Sequence, residues 1–410
     1  EIRGQIEILL GLAMQMQGQR ETALDQLNSL LDRPQWEKSI ARTRLLATVV
    51  YIQIISGNLN QAAAANIRLH DFAVKNDYAY AKAWSVYLAG LIHFYRNELE
   101  DAIDRFSQAI EQKHILHTRA VIDSMTGLVY AYQAIGKPDM ALDMLHNLSD
   151  FVDAISDPAG DMIAESCKAR LAIMRSEHKP VLEFLRSDSP PAENMVWWLE
   201  IPAVTYCRAQ IAQASDPRLE QSEARLRELL KLNQDNHNTC HMIQVLTLLA
   251  LVCNKQNRVE DALTLLDRAV QLAVPGGWIR PFVEAGLPMA AMLKQIPEQK
   301  VSVAFVQQLS AAFDDDRTPP EAAVHPPTPG EPPIRPSAPV QPLVEPLTNR
   351  ELDVLELLAQ RLQNKEISDK LFITTETVKG HLKNIYQKLG VNNRRQAVEE
   401  AKRLKLIAVN

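Results

Sequence analysis

Apolar positions recur along the first three quarters of the chain with a period of about forty residues. The stretches "QRETALDQLNSLL" (19–31), "ELEDAIDRFSQAI" (98–110) and "RVEDALTLLDRAVQL" (258–272) place apolar residues three or four apart, the spacing of one helix face. Seven such segments align on a small or helix-opening position, namely Ala23, Ala63, Ala102, Ala141, Val181, Ser222 and Ala262. The gaps between these positions are 40, 39, 39, 40, 41 and 40 residues, so the pattern predicts about seven repeated units.

A second apolar helix precedes these segments, as in "TRLLATVVYIQIISG" (43–57). Gly18, Gly57, Asn97 and Gly136 fall between the paired helices, where left-handed backbone is least costly for Gly or Asn. One helical hairpin buries too little surface to be stable alone, so neighbouring hairpins must stack. The pattern predicts an all-α superhelix of helical hairpins over residues 1–313. It resembles tetratricopeptide (TPR) repeats that are longer than usual.

Proline marks the end of the repeats. Residues 314–346 hold eleven of the 23 prolines and few apolar residues. This composition favours extended, semi-rigid chain over a packed core. The segment is therefore predicted to be a flexible linker between two domains.

Residues 347–410 are predicted to form four helices. The first follows a capping box at Thr348 and Glu351, and the second covers Lys365–Leu371 with Asn364 as its cap. The third is capped by Thr374 and runs through Leu389, and the fourth opens at Asn392 or Asn393 and ends near Leu404. Two short helices joined by a tight turn and followed by a long one match a helix-turn-helix, whose second helix enters the DNA major groove.

Charge separates this tail from the rest of the chain. Residues 347–410 carry 12 Lys and Arg against 8 Asp and Glu, whereas the remaining residues carry 32 against 42. A basic tail on an acidic body indicates that the tail meets a polyanion. In the third helix, one face is apolar and is assigned to the core (Val378, Leu382, Ile385, Tyr386, Leu389). The opposite face is polar and is assigned to DNA (Glu376, Lys379, Gly380, Lys383, Asn384, Gln387).

The tail resembles the LuxR/GerE-type helix-turn-helix. The motifs "LTNRELDVLEL", "NKEI" and "TVKGHLKNIYQKLGVNNRRQA" stand in the order of that family, over about 60 residues. The resemblance implies that Lys379, Gly380 and Lys383 face the bases. It also implies that a further set contacts the DNA backbone or supports the domain, namely Asn364, Lys365, Thr375, Thr377, His381, Asn384, Lys388 and Arg394. Lysine is suited to the guanine acceptors in the major groove.

Two residues depart from the family pattern. Arg361 stands where the family has Gly after its first helix, and we expect that turn to be reshaped, since left-handed backbone is costly for a residue with a Cβ. Gly380 lies inside the third helix, at a cost of about 1 kcal/mol against Ala, and removes a side chain from the DNA-facing side. Both departures are expected to change the preferred DNA sequence.

The segment "AVPGGWIRPFVEAGLPMAAMLKQI" (273–296) is similar to the one that closes the repeats in large MalT-like, ATP-dependent LuxR regulators. This resemblance implies a bacterial, cytoplasmic transcription activator that binds promoter DNA as a dimer or higher oligomer and contacts RNA polymerase. It also implies that the repeats receive a small inducer or a partner protein. Aromatic residues that could line such a site are Trp84, Tyr87, Trp197 and Trp198, although aromatics at helical spacing are more often packing residues.

A nucleotide site is not predicted in these residues. The sequence G-x-x-x-x-G-K-[ST] does not occur, so no cofactor is expected in this chain, and ATP would bind an upstream nucleotidase domain. Because the chain begins at Glu1 within a helical pattern, we expect it to be the C-terminal part of a longer protein.

Other readings of the sequence are weaker. In "HNTCH", His237, Cys240 and His241 have the spacing of metal ligands on one helix face, but a helix start with incidental histidines is favoured and no metal is expected. No paired nucleophile and base suggests an enzyme. No apolar run reaches the ~18–20 residues that span a bilayer. The alternative function is a TPR scaffold that docks proteins, with a tail that binds DNA without sequence preference.

Overall fold

The computed structural model describes residues 2–33, 39–191, 198–213, 215–296, 303–315, 347, 349–371 and 374–404. Within these ranges the chain forms α-helices and no strands, which confirms the predicted all-α class. The helices are α1 (Ile2–Met16), α2 (Arg20–Leu31), α3 (Ala41–Ile55), α4 (Leu59–Lys75), α5 (Ala79–Tyr95), α6 (Leu99–Glu111), α7 (Thr118–Ala134), α8 (Pro138–Ile155), α9 (Pro158–Met174), α10 (His178–Phe184), α11 (Pro202–Gln213), α12 (Asp216–Asp235), α13 (Thr239–Lys255), α14 (Val259–Ala273), α15 (Arg280–Val283), α16 (Gly286–Leu293), α17 (Val303–Asp315), α18 (Asn349–Ala359), α19 (Asn364–Leu371), α20 (Thr375–Leu389) and α21 (Arg394–Arg403).

Helices α1 to α14 pair into seven consecutive hairpins, as the period predicts. The aligned position is the fourth residue of the second helix in most hairpins and is fully buried, as at Ala23, Ala102 and Ala262. In the second hairpin this residue is Ala62, not Ala63 as the alignment predicts, because Ala62 is fully buried and Ala63 is only half-buried.

The turns inside the hairpins use left-handed backbone. Gly18, Gly57, Asn97 and Gly136 all have positive φ, between 66° and 78°, which confirms the prediction for these four positions. In the second hairpin, Gly57 N–H donates to the Ile54 carbonyl (2.9 Å) and the N–H of residue 58 donates to that of Gln53 (2.8 Å). This pair of bonds is a Schellman motif, which satisfies the free carbonyls at the end of the helix.

The segment that follows the last hairpin packs against the turns of the second and third hairpins. Trp278 Nε1 donates to the Gly57 carbonyl (2.7 Å), and the backbone N–H of Ile279 donates to the Tyr95 carbonyl (2.9 Å). The first hairpin also contacts a late one, because Gln15 Nε2 on α1 donates to the carbonyl of His237, which precedes α13 (3.3 Å). The superhelix therefore closes on itself, with residues 276–283 joining the first hairpins to the last.

A buried charged cluster ties non-adjacent segments together. The Arg170 guanidinium on α9 lies 2.8 Å from the Glu200 carboxylate and 2.5 Å from that of Glu284, which follows α15. Burial by itself would raise the pKa of Glu284, but Arg170, Arg280 and Arg208 outweigh it and lower the pKa to about 2. Glu200 also accepts hydrogen bonds from the hydroxyls of three neighbours (Tyr130, Ser166 and Thr205). The cluster fixes residues 198–201 between α7, α9 and α15.

The predicted domain boundaries are only partly covered by the described residues. Helix α17 runs to Asp315, two residues beyond the predicted end of the repeats at 313. Residues 316–346, which hold all eleven of the linker's prolines, and the cap residue Thr348 lie outside the described residues. Among the helices that are described, none is long and apolar enough to cross a membrane.

Candidate nucleic-acid interface

Helices α18 to α21 form the four-helix unit that the tail predicts. Helix α20 packs on α18, α19 and α21 through Val378, Leu382, Ile385 and Leu389, which are buried, while Tyr386 is half-buried. The predicted core face of the third helix is confirmed. Its polar face consequently lies on the outside of the domain.

The start and end of α20 are set by local sequence. Thr374 is the N-cap, and its Oγ1 accepts a hydrogen bond from the N–H of Thr377 (3.1 Å), as predicted. Gly390 follows the helix with φ 65°, the left-handed geometry of a helix C-terminus. Asn393 caps α21 through the N–H of Gln396 (2.9 Å), which decides between the two predicted caps. These contacts orient α20 with its first turn exposed.

The turn before α19 differs from the prediction in two ways. Helix α19 begins at Asn364 itself, so Asn364 is not the preceding cap; its Oδ1 instead accepts a hydrogen bond from Arg394 (3.5 Å). Arg361 takes φ 64°, so the expectation of a reshaped turn is wrong. The left-handed turn is kept, and Arg361 bears the steric cost that the family avoids with Gly.

The three predicted base-facing residues lie together on the exposed face of α20. Lys379 is 61% exposed in its side chain and Lys383 is exposed, with Gly380 between them. A Cβ built at Gly380 would have no atom within 4 Å, so this part of the face is open to a close approach. The dimensions and donors of this face suit the major groove, and contact of these residues with bases remains a prediction.

Three of the predicted backbone or support residues hold the domain together. Lys388 Nζ lies 2.9 Å from the Glu351 carboxylate on α18, and both side chains are at least 90% buried. Arg394 donates to the carbonyl of Leu362 and to Asn364, which joins α21 to the turn before α19. Lys388, Arg394 and Asn364 therefore act as supports.

The other members of this set are more accessible. Lys365, Thr375, Thr377 and Asn384 are exposed and His381 is half-buried. The four exposed residues are accessible to solvent, and their contact with the DNA backbone stays a prediction. Sequence reasoning did not pair Glu351 with Lys388, because 37 residues separate them and no local pattern joins them.

Helix α18 also contacts the repeats. The backbone N–H of Tyr80, in the first turn of α5, donates to the Glu356 carboxylate (3.3 Å). All five residues from Val354 to Leu358 are buried, which on a helix covers every face. The polar face of α20, with Lys379, Gly380 and Lys383, stays exposed in this arrangement.

A cavity of about 410 Å³ lies in the repeats beside this contact. It is lined by Ile8, Leu9, Thr43, Arg44, Ala47, Thr48, Tyr51, Leu69, Tyr80, Ala81 and Trp84. Tyr80 and Trp84 stack with ring centroids 6.0 Å apart, and Tyr51 meets the Trp84 ring edge-on at 6.1 Å. Burial, followed by the nearby Tyr80, raises the pKa of Tyr51 well above its usual value. The cavity has the size and apolar walls of a small-molecule site.

Three of the four predicted effector residues contact one another in series, with ring centroids 5.4 Å apart for Trp84 and Tyr87 and 6.4 Å apart for Tyr87 and Trp198, but they do not all line this cavity. Trp84 lines it, but Tyr87 is fully buried and donates its hydroxyl hydrogen to Asp123 (2.8 Å). Trp198 packs under the Arg119 guanidinium, and Trp197 lies outside the described residues. Tyr51 and Tyr80 also line the cavity but were not predicted. Tyr80 lies one helical turn before Trp84 on α5, a spacing that the sequence does show, whereas Tyr51 lies on α3 in the preceding repeat.

The histidine and cysteine group does not have the predicted geometry of a shared helix face. His237 has φ 51° and precedes α13, while Cys240 and His241 are buried in its first turn. Burial lowers the pKa of His241 to about 4. His241 therefore behaves as a neutral core residue.

The exposed glycine in α20 allows a test of the local structure. Gly380→Ala is expected to stabilise the C-terminal domain by up to about 1 kcal/mol, because Ala is the better helix former and its Cβ meets no neighbour. Gly390→Ala has equally open surroundings but positive φ, so it is expected to destabilise by a similar amount. Amide hydrogen exchange of α20 in the full chain measures both. Equal signs for the two variants would contradict the assigned backbone.

Comparison with protein families agrees with both parts of the chain. The model described as "MalT-like TPR region" matches residues 1–299. The model described as "Bacterial regulatory proteins, luxR family" matches residues 345–401, which contain α18 to α20 and most of α21. The first match covers most of the chain, and the second covers the candidate interface.

Proposed function

The chain belongs to the family of MalT-like TPR regulators with a luxR-family DNA-binding domain, and from this premise we propose that it activates transcription in the bacterial cytoplasm in response to an effector. Its place among DNA-binding transcription regulators follows from the family. The observation that carries sequence-specific binding is the exposed face of α20, where Lys379 and Lys383 flank a glycine with open space above it.

The effector, a small inducer or a partner protein, binds the repeats in this proposal. The cavity walled by Tyr51, Tyr80 and Trp84 supports a small molecule, since it is apolar and of suitable volume. Tyr80 also donates its N–H to Glu356 of the DNA-binding domain, so a ligand that moves α5 would act directly on α18. This contact is the route by which binding in the repeats changes the DNA-binding domain.

The remaining partners follow from the same role. One helix-turn-helix covers a half-site, so the protein binds promoter DNA as a dimer or higher oligomer, and as an activator it contacts RNA polymerase. The two domains present are not catalytic. In this proposal the chain needs no cofactor of its own.

The proposal is tested by substituting the two lysines in the full chain. The wild type first selects a preferred site from a pool of random duplexes. Lys379→Ala and Lys383→Ala are each expected to reduce the preference for this selected site over random duplex by roughly 5- to 100-fold, because each removes a donor to base acceptors. Competition binding at two salt concentrations measures this ratio. Arg403→Ala on α21 removes the same charge from an exposed position and is expected to leave the ratio unchanged.

The alternative of a TPR scaffold predicts a different result. A tail that serves only as an accessory would bind every duplex equally, with an affinity that falls steeply with salt. All three variants would then weaken binding alike, without any change in preference. That outcome would reject sequence-specific regulation.

A further inference from the structure

A carboxylate stands on the DNA-facing side of α20. Glu376, the second residue of the helix, places its Oε2 3.0 Å from Lys379 Nζ. Both side chains are exposed, Glu376 by 81% and Lys379 by 61%. Residues three apart lie on one helix face, so Glu376 points to the same side as the predicted base-facing lysine.

This position is unfavourable for a carboxylate on bound DNA unless a base donates a hydrogen bond to it. Phosphates repel Glu376, so it cannot serve as a backbone contact. The major groove offers a carboxylate two hydrogen-bond donors, the N4 amino group of cytosine and the N6 amino group of adenine. Adenine N6 lies between two acceptors, its own N7 and O4 of the paired thymine, which repel a carboxylate on both sides. Cytosine N4 has an acceptor on one side only, O6 of the paired guanine.

The lysine beside Glu376 supplies the complement to that remaining acceptor. Lys379 can donate to guanine O6 and N7 while Glu376 accepts from cytosine N4 of the same base pair. The ion pair seen in the free protein then spans the two bases of one pair.

We propose that Glu376 is a specificity-determining residue that selects cytosine, through its N4 amino group, at the base pair whose guanine is contacted by Lys379. This inference rests on the proposed function, since it needs sequence-specific binding by α20. It adds an acceptor to a face otherwise described by its lysines. A G·C pair is thereby distinguished by both of its bases.

Glu376 also lies in the first turn of α20, where a carboxylate favours helix formation, so the test must separate this role from base selection. The 410-residue wild type and Glu376→Gln are compared on a duplex that the wild type selects from a random pool and on the single-base-pair variants of that duplex. Glu376→Gln is expected to lose roughly 5- to 100-fold discrimination at one G·C pair and to gain acceptance of adenine, which glutamine binds through N6 and N7. Its affinity for unrelated duplex should rise, because one repelling charge is gone.

Glu399→Gln is the matched control. Glu399 is an exposed carboxylate on α21 that pairs with Arg395, and its substitution changes the net charge equally. Glu399→Gln should raise the affinity for the selected duplex and for each of its single-base-pair variants by the same factor. If Glu376→Gln also changes the affinity for all of these duplexes by one factor, Glu376 acts only through charge or helix stability and the proposal is overturned. Absence of any preference in the wild type would instead reject the proposed function as well.

Discussion

Replacing Arg170 with methionine is expected to destabilise the repeat domain by about 3–5 kcal/mol, because Glu200 and Glu284 would remain buried without their shared cation. All five tryptophans of the chain lie between residues 36 and 278, so tryptophan fluorescence during urea unfolding follows the repeats. The expected result is a lower urea midpoint. Loss of the contact between Arg170 and the Tyr130 ring adds to the effect.

Two comparisons isolate the buried charge in this experiment. Lys168→Met lies on the same helix, where Lys168 forms an exposed pair with Glu165 (3.5 Å), and should leave the midpoint unchanged. Adding Glu200→Gln to Arg170→Met should restore part of the stability, since the carboxylate that has lost its cation is then neutral, whereas Glu284 still pairs with Arg280 (3.5 Å) and Arg208 (3.9 Å). If Arg170→Met unfolds at the same urea concentration as Lys168→Met, the cluster does not stabilise the superhelix.

The second large effect is expected in the C-terminal domain. Lys388→Met removes the buried cation that pairs with the Glu351 carboxylate, at a cost of about 3–5 kcal/mol. Because a domain of about sixty residues has little stability to lose, α18 to α21 should lose much of their amide protection. Hydrogen exchange with mass spectrometry resolves these helices within the full chain. Protection in the repeats should be unchanged.

The same variant decides between the two roles that the family resemblance leaves open for Lys388. A residue that contacts phosphate would leave hydrogen exchange unchanged and would make DNA binding less dependent on salt when removed. Removal of a supporting residue would instead increase hydrogen exchange in the domain and would leave the salt dependence of DNA binding unchanged. Arg395→Met is the control, since its pair with Glu399 is exposed on both sides and should not affect exchange.

Features that depend on nearby residues were predicted well from the sequence. The hairpin period, the glycine and asparagine turns, and the caps at Thr374 and Asn393 all follow from spacings of a few residues. The apolar face of α20 is likewise a local pattern. The misplaced Ala63 shows the limit of such alignment, because a run of four alanines (62–65) offers no contrast by which to choose the buried one.

Features that depend on distant residues were not predicted. Arg170, Glu200 and Glu284 are charged residues that ordinarily lie at a surface, and only the superhelix brings them together from 30 and 114 residues apart. The cavity is missed for the same reason, since Tyr51 and Tyr80 belong to different repeats. Arg361 shows the opposite case, in which a family-wide turn geometry persists against the preference of the residue that occupies it.

Whether α20 recognises a particular DNA sequence is decided by selecting duplexes from a random pool with the 410-residue chain at moderate salt. Base contacts by Lys379 and Glu376 predict enrichment of a short motif that contains a G·C pair. Retention of the pool without enrichment, with binding that disappears as salt is raised, would contradict it.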